Sequence, residues 1–187
     1  MLCSTKRHFD FLPHCEGYFD FFNKNSLFWL IPCDTLEGLV YGFVLRSYRG
    51  KSYMLFSEGE IAPVYGFHDF GGYRRGYPIV LCEGIKDREV LAQSYRYCLA
   101  VLTSRVPNTF LPVLRALSSK AVIAFDADET GERMSSKACK RLSSEYISTK
   151  VIRPKLHDFG SYISNRNYIR LMNAELLQVL EEFGFSL

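Results

Sequence analysis

The chain has 187 residues, enough for one ordinary domain or for one domain with a small satellite. Hydrophobic residues make up 48% and charged residues 23% of the sequence, a composition that excludes a disordered or collagen-like chain. The 23 Lys and Arg against 20 Asp and Glu give a net charge of +3, too small to indicate a nucleic-acid or membrane partner by itself.

Targeting segments and zinc ligands are not evident in the sequence. No apolar run approaches the roughly 18 residues that span a bilayer, and the N-terminal residues lack the apolar core of a secretory signal. We therefore expect a cytoplasmic protein whose six scattered cysteines are reduced. Cys3, His8, His14 and Cys15 form a local cluster, but their spacing fits no standard zinc pattern, so no zinc is predicted.

Residues 1–77 are predicted to form a small, basic and aromatic β-rich subdomain. Its predicted strands cover residues 27–31, 39–46 and 51–56; the first is ended by a proline and the last two form a hairpin. Residues 71–78 are dense in turn-forming residues and make the best linker.

After residue 78 the pattern changes to alternating strands and helices. The predicted strands cover residues 79–82, 99–102, 121–125 and 150–152, and the predicted helices cover about 86–97, 110–117, 132–142 and 174–183. This alternation predicts an α/β domain, a parallel sheet flanked by helices, over residues 78–160. A helical segment over 161–187 follows, and the β-rich N-terminal part makes the whole chain α+β.

Acidic residues follow two of these strands. Glu83 follows the first strand of the α/β domain, and Asp126 and Asp128 follow the third. Because the carboxyl ends of parallel strands meet at one edge of the sheet, the three carboxylates should lie together. In an extended chain, Asp126 and Asp128 would project from one face about 6–7 Å apart. Such an oxygen-rich site suits Mg²⁺, although an exposed acid and a helix cap would explain the aspartates alone.

Two segments resemble the signature motifs of the Toprim domain of primases, topoisomerases and small nucleases. They are residues 79–87 (IVLCEGIKD) and 122–131 (VIAFDADETG). The resemblance implies that the glutamate is a general acid or base and that the paired aspartates hold Mg²⁺ or Mn²⁺. It thus makes Glu83, Asp126 and Asp128 catalytic residues and metal ligands, with Asp87 and Asp158 as further ligands.

The upstream part resembles the basic subdomain of bacterial and phage DnaG-type primases. A Gly-Phe-x-x-Arg stretch at 42–46, a Lys and Tyr pair at 51–53 and a Tyr-Gly pair at 65–66 follow one another in the order found there. The resemblance implies nucleotide or nucleic-acid contacts from Arg46 and Lys51. Further candidates are Arg49, Arg74, Arg75 and Lys86. Solvated charges on a hairpin are the alternative for these cations. Tyr48, Tyr53 and Tyr73 would either stack on unpaired bases or pack in the core.

The sequence also departs from that family. There is no N-terminal zinc ribbon and no helicase domain, and residues 155–160 (KLHDFG) keep Asp158 but lack a second acid of the family's Lys-Asp-x-Asp pattern. These departures predict a shortened, phage-like version of the primase core with an incomplete second metal site.

The resemblance implies a DNA primase-like RNA polymerase, a nucleotidyltransferase that makes short RNA primers on single-stranded DNA. Its substrates would be ribonucleoside triphosphates, its partners a replicative helicase or a separate zinc-binding module, and no membrane is involved. A Toprim nuclease or a non-catalytic nucleic-acid-binding replication module are the alternatives. Arg133, Lys137 and Arg141 recur at four-residue steps on the helix after the aspartates, as either a nucleic-acid contact or a solvated helix face.

Overall fold

An antiparallel sheet forms the N-terminal part of the structure. The computed structural model describes residues 18–19, 28–47, 53–57, 64–103 and 105–185. Within these ranges the sheet has the strand order β1-β2-β3-β4, and every neighbouring pair is antiparallel. Its strands are β1 (Tyr18–Phe19), β2 (Phe28–Asp34), β3 (Val40–Ser47) and β4 (Tyr53–Ser57).

A parallel sheet flanked by helices forms the rest, which confirms the predicted fold class. Its strand order is β6-β5-β7-β8, and all its pairings among the described residues are parallel. The strands are β5 (Ile79–Cys82), β6 (Cys98–Ala100), β7 (Lys120–Ala124) and β8 (Ser148–Val151). The helices are α1 (Ile85–Leu91), α2 (Leu111–Leu117), α3 (Glu129–Ser144) and α4 (Arg166–Glu182).

The prediction that a proline ends the first strand is wrong. Strand β2 continues through Pro32, which lies opposite Phe43 of β3, and ends at Asp34. Proline lacks an N–H donor and is tolerated where a strand faces only one neighbour. Strand β1 pairs with only the first two residues of β2, so within the described residues Pro32 faces β3 alone.

Three helix boundaries also differ from the prediction. Helix α1 ends at Leu91 rather than near residue 97, because the chain turns before β6 begins. In this turn the hydroxyl of Tyr95 donates a hydrogen bond to the carbonyl of Pro78 at 2.7 Å. Helix α3 begins at Glu129, three residues earlier than predicted, and α4 begins at Arg166, eight residues earlier. The early turns of α4 carry Ile169 and Met172, which pack against the core, so the apolar stripe of this helix begins earlier than predicted. No helix among the described residues is both long and apolar enough to cross a lipid bilayer.

One continuous core joins the two sheets. Ile31 and Val44 of the antiparallel sheet are buried in the same cluster as the strands of the parallel sheet. Tyr65 pairs with Ala100 at the free edge of β6, through N–H···O bonds of 3.0 and 2.9 Å. The segment between the sheets is thus part of the core, and the division of the chain at residue 77 stays a prediction.

A fully buried arginine fixes this connecting segment. The Arg88 guanidinium donates to the carbonyls of Cys98 (3.1 Å) and Gly66 (3.2 Å) and to the carboxylates of Asp69 (2.5 Å) and Glu89 (2.8 Å). Satisfying so many donors compensates much of the cost of burying the charge. Arg88 therefore ties α1, β6 and the connecting segment together, a joint that the sequence analysis did not predict.

Candidate active site

The structure brings Glu83 and Asp126 together at the carboxyl edge of the parallel sheet. Glu83 directly follows β5, and Asp126 lies two residues beyond the end of β7. These strands are neighbours, with Cys82 opposite Ala124, so the residues that follow them emerge side by side. The backbone amide of Asp126 donates to Oε1 of Glu83 at 3.4 Å, and both side chains are half-buried.

A cavity of about 240 Å³ opens at this edge. Its lining includes Glu83, Asp87 and Asp126 from the parallel sheet's edge and Thr103 from the loop after β6. Arg46 of β3 also lines it, so the antiparallel sheet places a guanidinium beside the carboxylates. The three carboxylates can hold a divalent cation, and the guanidinium can bind phosphate oxygens. The cavity can therefore bind a phosphate-bearing substrate together with a cation.

Asp87 lies in the cavity wall with little solvent contact. Only 8% of its surface is exposed. Its Oδ2 accepts from the amide of Gly84 at 3.2 Å and its Oδ1 from the amide of Gly160 at 2.7 Å. Burial, and then the charges of Asp126 and Asp158, raise the pKa of Asp87 to about 6 despite these bonds. Asp87 therefore pins the start of α1 to the short 3-10 helix at 159–164, and its role as a metal ligand stays a prediction.

Asp128 caps a helix instead of extending a strand. Strand β7 ends at Ala124, and Asp128 follows it with an extended backbone (φ −78°, ψ 170°) as the N-cap of α3, so its role as a metal ligand stays a prediction. Oδ1 of Asp128 accepts from the amide of Gly131 at 2.7 Å and so caps α3. Its charge nevertheless raises the pKa of both Glu83 and Asp126. Asp128 is thus an exposed helix cap whose negative charge influences the two carboxylates in the cavity.

Gly131 makes the tight turn between β7 and α3 possible, because it has no side chain. A Cβ atom on Gly131 would lie 2.2 Å from the carbonyl oxygen and 2.8 Å from the carbonyl carbon of Asp126. No side chain can occupy that space without moving the backbone of Asp126. Gly131 therefore lets the first turn of α3 pack directly against the residue that bears the carboxylate.

Burial and mutual repulsion both disfavour the charged forms of the carboxylates in the cavity. Burial, and then the charges of Glu83 and Asp158, raise the pKa of Asp126 to about 6, and His157 opposes them. Burial also raises the pKa of Glu83, against the hydrogen bond from the Asp126 amide. Like charges held together in a partly dry site stabilise any cation that binds there.

The acids fit a magnesium site of the open kind. Among the described residues, no three His, Cys, Asp or Glu side chains converge closely enough to enclose a metal ion. Mg²⁺ does not need such a cage, because it commonly takes one or two carboxylates and completes its shell with water and phosphate oxygens. The adjacent, mutually repelling carboxylates of Glu83 and Asp126 match that donor set.

Asp158 is hydrogen-bonded within its own segment and is not among the described residues that line the cavity. Its Oδ1 accepts from both the amide and the hydroxyl of Ser161, each at 2.6 Å, and so caps the 3-10 helix at 159–164. The amide of Ala127 donates to the carbonyl of His157 at 3.0 Å, which holds this segment against the Asp126 turn. The charge of Asp158 raises the pKa of Asp126 and of Asp87, so it is close enough to influence both.

Three predicted cations lie away from the cavity lining. Arg74 and Arg75 are exposed in the turn before β5, at the amino edge of the parallel sheet. A four-residue strand, about 13 Å long, separates them from Glu83. Lys86 is exposed on the first turn of α1, where its aliphatic stem packs over Gly160. Their nucleic-acid contacts stay predictions.

Other predicted residues pack in the core or fall outside the described ranges. The Tyr73 ring stacks on Phe70 with centroids 5.2 Å apart, and its hydroxyl donates to the carbonyl of Tyr77 at 2.9 Å, so the core alternative holds for this tyrosine. Tyr53 lies in β4. The residues outside the described ranges are Cys3, His8, His14, Cys15, Tyr48, Arg49 and Lys51.

The sequence analysis missed the loop after β6. The amide of Leu102 donates to the carbonyl of Glu83 at 3.0 Å, and Leu102 adopts a left-handed backbone conformation with φ 58°. This bend brings Thr103 into the cavity wall. The position of these residues just after a predicted parallel strand was the signal that they would reach the same edge.

Comparison with known proteins identifies the fold. No protein-family model and no curated protein matches the sequence. Among solved structures, the DnaG catalytic core superposes with a TM-score of 0.65 at 17% identity, over 79% of this chain and 52% of that one. The DnaG primase catalytic domain bound to ssDNA gives 0.62 at 17%, over 87% of this chain and 55% of that one. The primase fragment of the bacteriophage T7 primase-helicase protein gives 0.60 at 16%, over 83% and 66%.

The structural similarity covers most of this chain but only about half of each DnaG structure. This chain spans about half the length of the two DnaG structures. The part of this chain that superposes includes the parallel sheet that follows the N-terminal antiparallel sheet. The protein therefore has the fold of the DnaG primase catalytic core.

Proposed function

We propose that this chain catalyses Mg²⁺-dependent nucleotidyl transfer and makes short RNA primers on single-stranded DNA from ribonucleoside triphosphates. The observation that carries the proposal is the cavity in which Glu83 and Asp126 face Arg46. It lies at the carboxyl edge of a parallel sheet, where α/β folds bind their ligands.

The residues of the cavity divide the chemistry among them. Phosphoryl transfer mainly requires that the reactants be positioned and that developing charge be neutralised. Glu83 and Asp126 would hold Mg²⁺, which when bound supplies charge neutralisation at the triphosphate oxygens. The hydrogen bond from the Asp126 amide orients the Glu83 carboxylate. Glu83 also lines the cavity where it could accept the proton of an attacking 3′-hydroxyl.

Arg46 favours polymerisation over hydrolysis. A nuclease needs only the carboxylate edge, whereas a polymerase must also hold a nucleoside triphosphate. Arg46 comes from the antiparallel sheet and lines the same cavity as the carboxylates, where a guanidinium would bind phosphate oxygens.

The proposed partners follow from the similar structures. One of those is a primase domain bound to ssDNA, and another is the primase fragment of a primase-helicase protein. We therefore include single-stranded DNA and a replicative helicase among the proposed partners of this chain. A separate zinc-binding module is a further proposed partner.

Synthesis of RNA on unprimed single-stranded DNA tests the proposal. The chain is incubated with Mg²⁺ and labelled ribonucleotides beside Glu83→Gln, Asp126→Asn and the matched control Glu181→Gln, which changes an exposed acid on α4. The expected products are short RNAs from the wild type and the control, reduced at least about 100-fold in both site variants. Asp126-dependent cutting of the DNA without RNA synthesis would support a nuclease instead, and no product in either assay would support a binding module.

A further inference from the structure

A second, basic cavity lies against helix α3. It encloses about 610 Å³, and three of its lining residues are cations: Arg105, Lys137 and Arg141. The remaining lining residues are the apolar Val106, Met134 and Ala138. None of these six described lining residues is acidic, so all the charges that they bring to the cavity, which we call the basic pocket, are positive.

The cations of the basic pocket are available for an external anion. Lys137 and Arg141 are one helical turn apart on α3 and face the same side. The acids nearest to them along the chain pair elsewhere: Glu132 with Arg153 at 3.5 Å and Glu145 with Arg115 at 3.4 Å.

Arg141 carries a donor without a protein acceptor. Its Nε is buried and has no hydrogen-bond partner within the described part of the chain. A buried N–H without a partner costs about 1–3 kcal/mol, so an acceptor supplied by a ligand would be favourable.

A third depression lies between the basic pocket and the carboxylate cavity and shares a lining residue with each. This depression of about 290 Å³ includes Thr103, Arg105 and Thr109 in its lining. It shares Thr103 with the carboxylate cavity and Arg105 with the basic pocket. The three concavities therefore follow one another along the loop after β6, from the acids to the cations.

We propose that the basic pocket binds the phosphodiester backbone of a nucleic-acid strand that also occupies the carboxylate cavity. Such a strand presents phosphates at regular intervals, which matches a series of concavities that ends in three cations. The phosphate chain of a free nucleoside triphosphate has the same chemistry but is too short to need the whole series. This inference extends the proposed function. It rests on that function at one point, namely that the same strand also reaches the carboxylate cavity.

Strand binding with charge-matched variants tests the inference without any catalysis. The variant Arg105→Gln/Lys137→Gln removes two exposed cations of the basic pocket, and adding Arg141→Gln removes the third. The control Lys140→Gln/Arg170→Gln removes the same two charges from exposed positions outside all three concavities. Fluorescence anisotropy of a labelled single-stranded oligonucleotide is measured from about 50 to 200 mM NaCl. Thermal melting confirms that each variant is folded.

The expected result is specific to the basic pocket. Each lost phosphate contact reduces the slope of log K against log salt by about 0.7, so the double variant should lose about 1.4. That slope corresponds to about 25-fold weaker binding near 0.1 M salt, whereas the control should stay within about twofold of the wild type. Equal effects in the variant and the control would overturn the inference, as expected if the basic pocket served an acidic protein segment.

A second titration separates the two sources of phosphate. Binding of a fluorescent nucleoside triphosphate should be unchanged in Arg105→Gln/Lys137→Gln. If the variant lost triphosphate binding and kept strand binding, the pocket would be a nucleotide site and the inference would be wrong. Failure of the proposed function shows as absent RNA synthesis with these binding results intact, so the two failures are distinguishable.

Discussion

The backbone amide of Asp126 donates a hydrogen bond to Oε1 of Glu83 at 3.4 Å, across the ends of two neighbouring parallel strands. The two residues are 43 positions apart in sequence. Their proximity therefore depends on the register of β5 and β7 and on the turn after β7, and not on the carboxylates themselves. Substitution of either acid should leave the fold intact while changing how the site responds to cations.

Asp126→Asn should raise stability in the absence of divalent cations. The variant removes one of the mutually repelling charges near Glu83, which should raise Tm at pH 8 in EDTA by about 2–4 °C. This corresponds to about 1 kcal/mol, after discounting for the half-exposed side chain. Mg²⁺ should raise the Tm of the wild type in a concentration-dependent way and have little effect on the variant.

Glu181→Gln is the control for that experiment, because it removes an exposed acid of α4. It should leave both the Tm in EDTA and the Mg²⁺ response unchanged. A variant Asp126→Asn that melts below the wild type in EDTA, or keeps the full Mg²⁺ response, would contradict the repulsion on which the cation site is argued.

Gly131→Ala should disrupt the site through the backbone. The added methyl group would lie 2.2 Å from the Asp126 carbonyl oxygen, so the turn between β7 and α3 must move. We expect a loss of about 3 kcal/mol in the free energy of unfolding in urea, together with loss of the Mg²⁺ response. Gly71→Ala is the matched control, since its Cβ would meet nothing closer than a side-chain nitrogen of Arg96 at 3.8 Å. Equal stability of the two variants would show that the turn tolerates a side chain.

Arg88→Ala should be among the most destabilising single substitutions. It leaves the carboxylates of Glu89 and Asp69 and the carbonyls of Cys98 and Gly66 without their shared donor. Removing one partner of a buried ion pair costs about 3–5 kcal/mol, which urea denaturation would measure. Arg170→Ala, on the exposed side of α4, should cost less than about 0.5 kcal/mol. A similarly small loss of unfolding free energy in both variants would contradict the role of Arg88 in holding α1, β6 and the connecting segment together.

The contribution of Asp69 should depend on pH. Burial alone would raise the pKa of Asp69, but the hydrogen bond and charge of Arg88 outweigh it and hold the pKa below its usual 3.8. Because the folded pKa is the lower one, the stabilisation is complete above about pH 4 and is lost as the pH falls through the folded value. The wild type should exceed Asp69→Asn in unfolding free energy by about 1 kcal/mol at pH 7, with the partly exposed carboxylate taken into account. The difference in unfolding free energy between the two proteins should shrink as the pH falls below 4, and a difference that grew in acid would contradict the lowered pKa of Asp69.

The parallel sheet was predictable because its signal is local. The continuous apolar runs of β5 and β7 mark strands buried on both faces, and acids directly after them fall at one edge whatever the details of packing. Glu83 and Asp126 could therefore be paired from sequence. For Asp128 the sequence left open a metal ligand and a helix cap, because whether a residue after a strand extends the chain or caps the next helix depends on where the backbone turns.

Long-range packing accounts for most of what the sequence analysis missed. Arg88 sits in a stretch of charged residues that is typical of a solvated helix, and only the arrival of residues 64–70 from elsewhere in the chain buries it. The start of α4 depends on the cap at Asn165, whose side chain accepts from the Asn167 amide at 3.1 Å. The basic pocket likewise needs Arg105 from the loop after β6 beside α3, a contact that no local pattern predicts.

The most direct test of the central claim is extension of a ready-made RNA primer by one nucleotide on a DNA template. This reaction needs the carboxylate cavity but not the selection of a start site. With Mg²⁺ and the complementary ribonucleotide, the wild type and Glu181→Gln should add one nucleotide, and Asp126→Asn and Glu83→Gln should be slower by at least about 100-fold. Extension by the site variants at the wild-type rate would contradict the assignment of catalysis to this cavity.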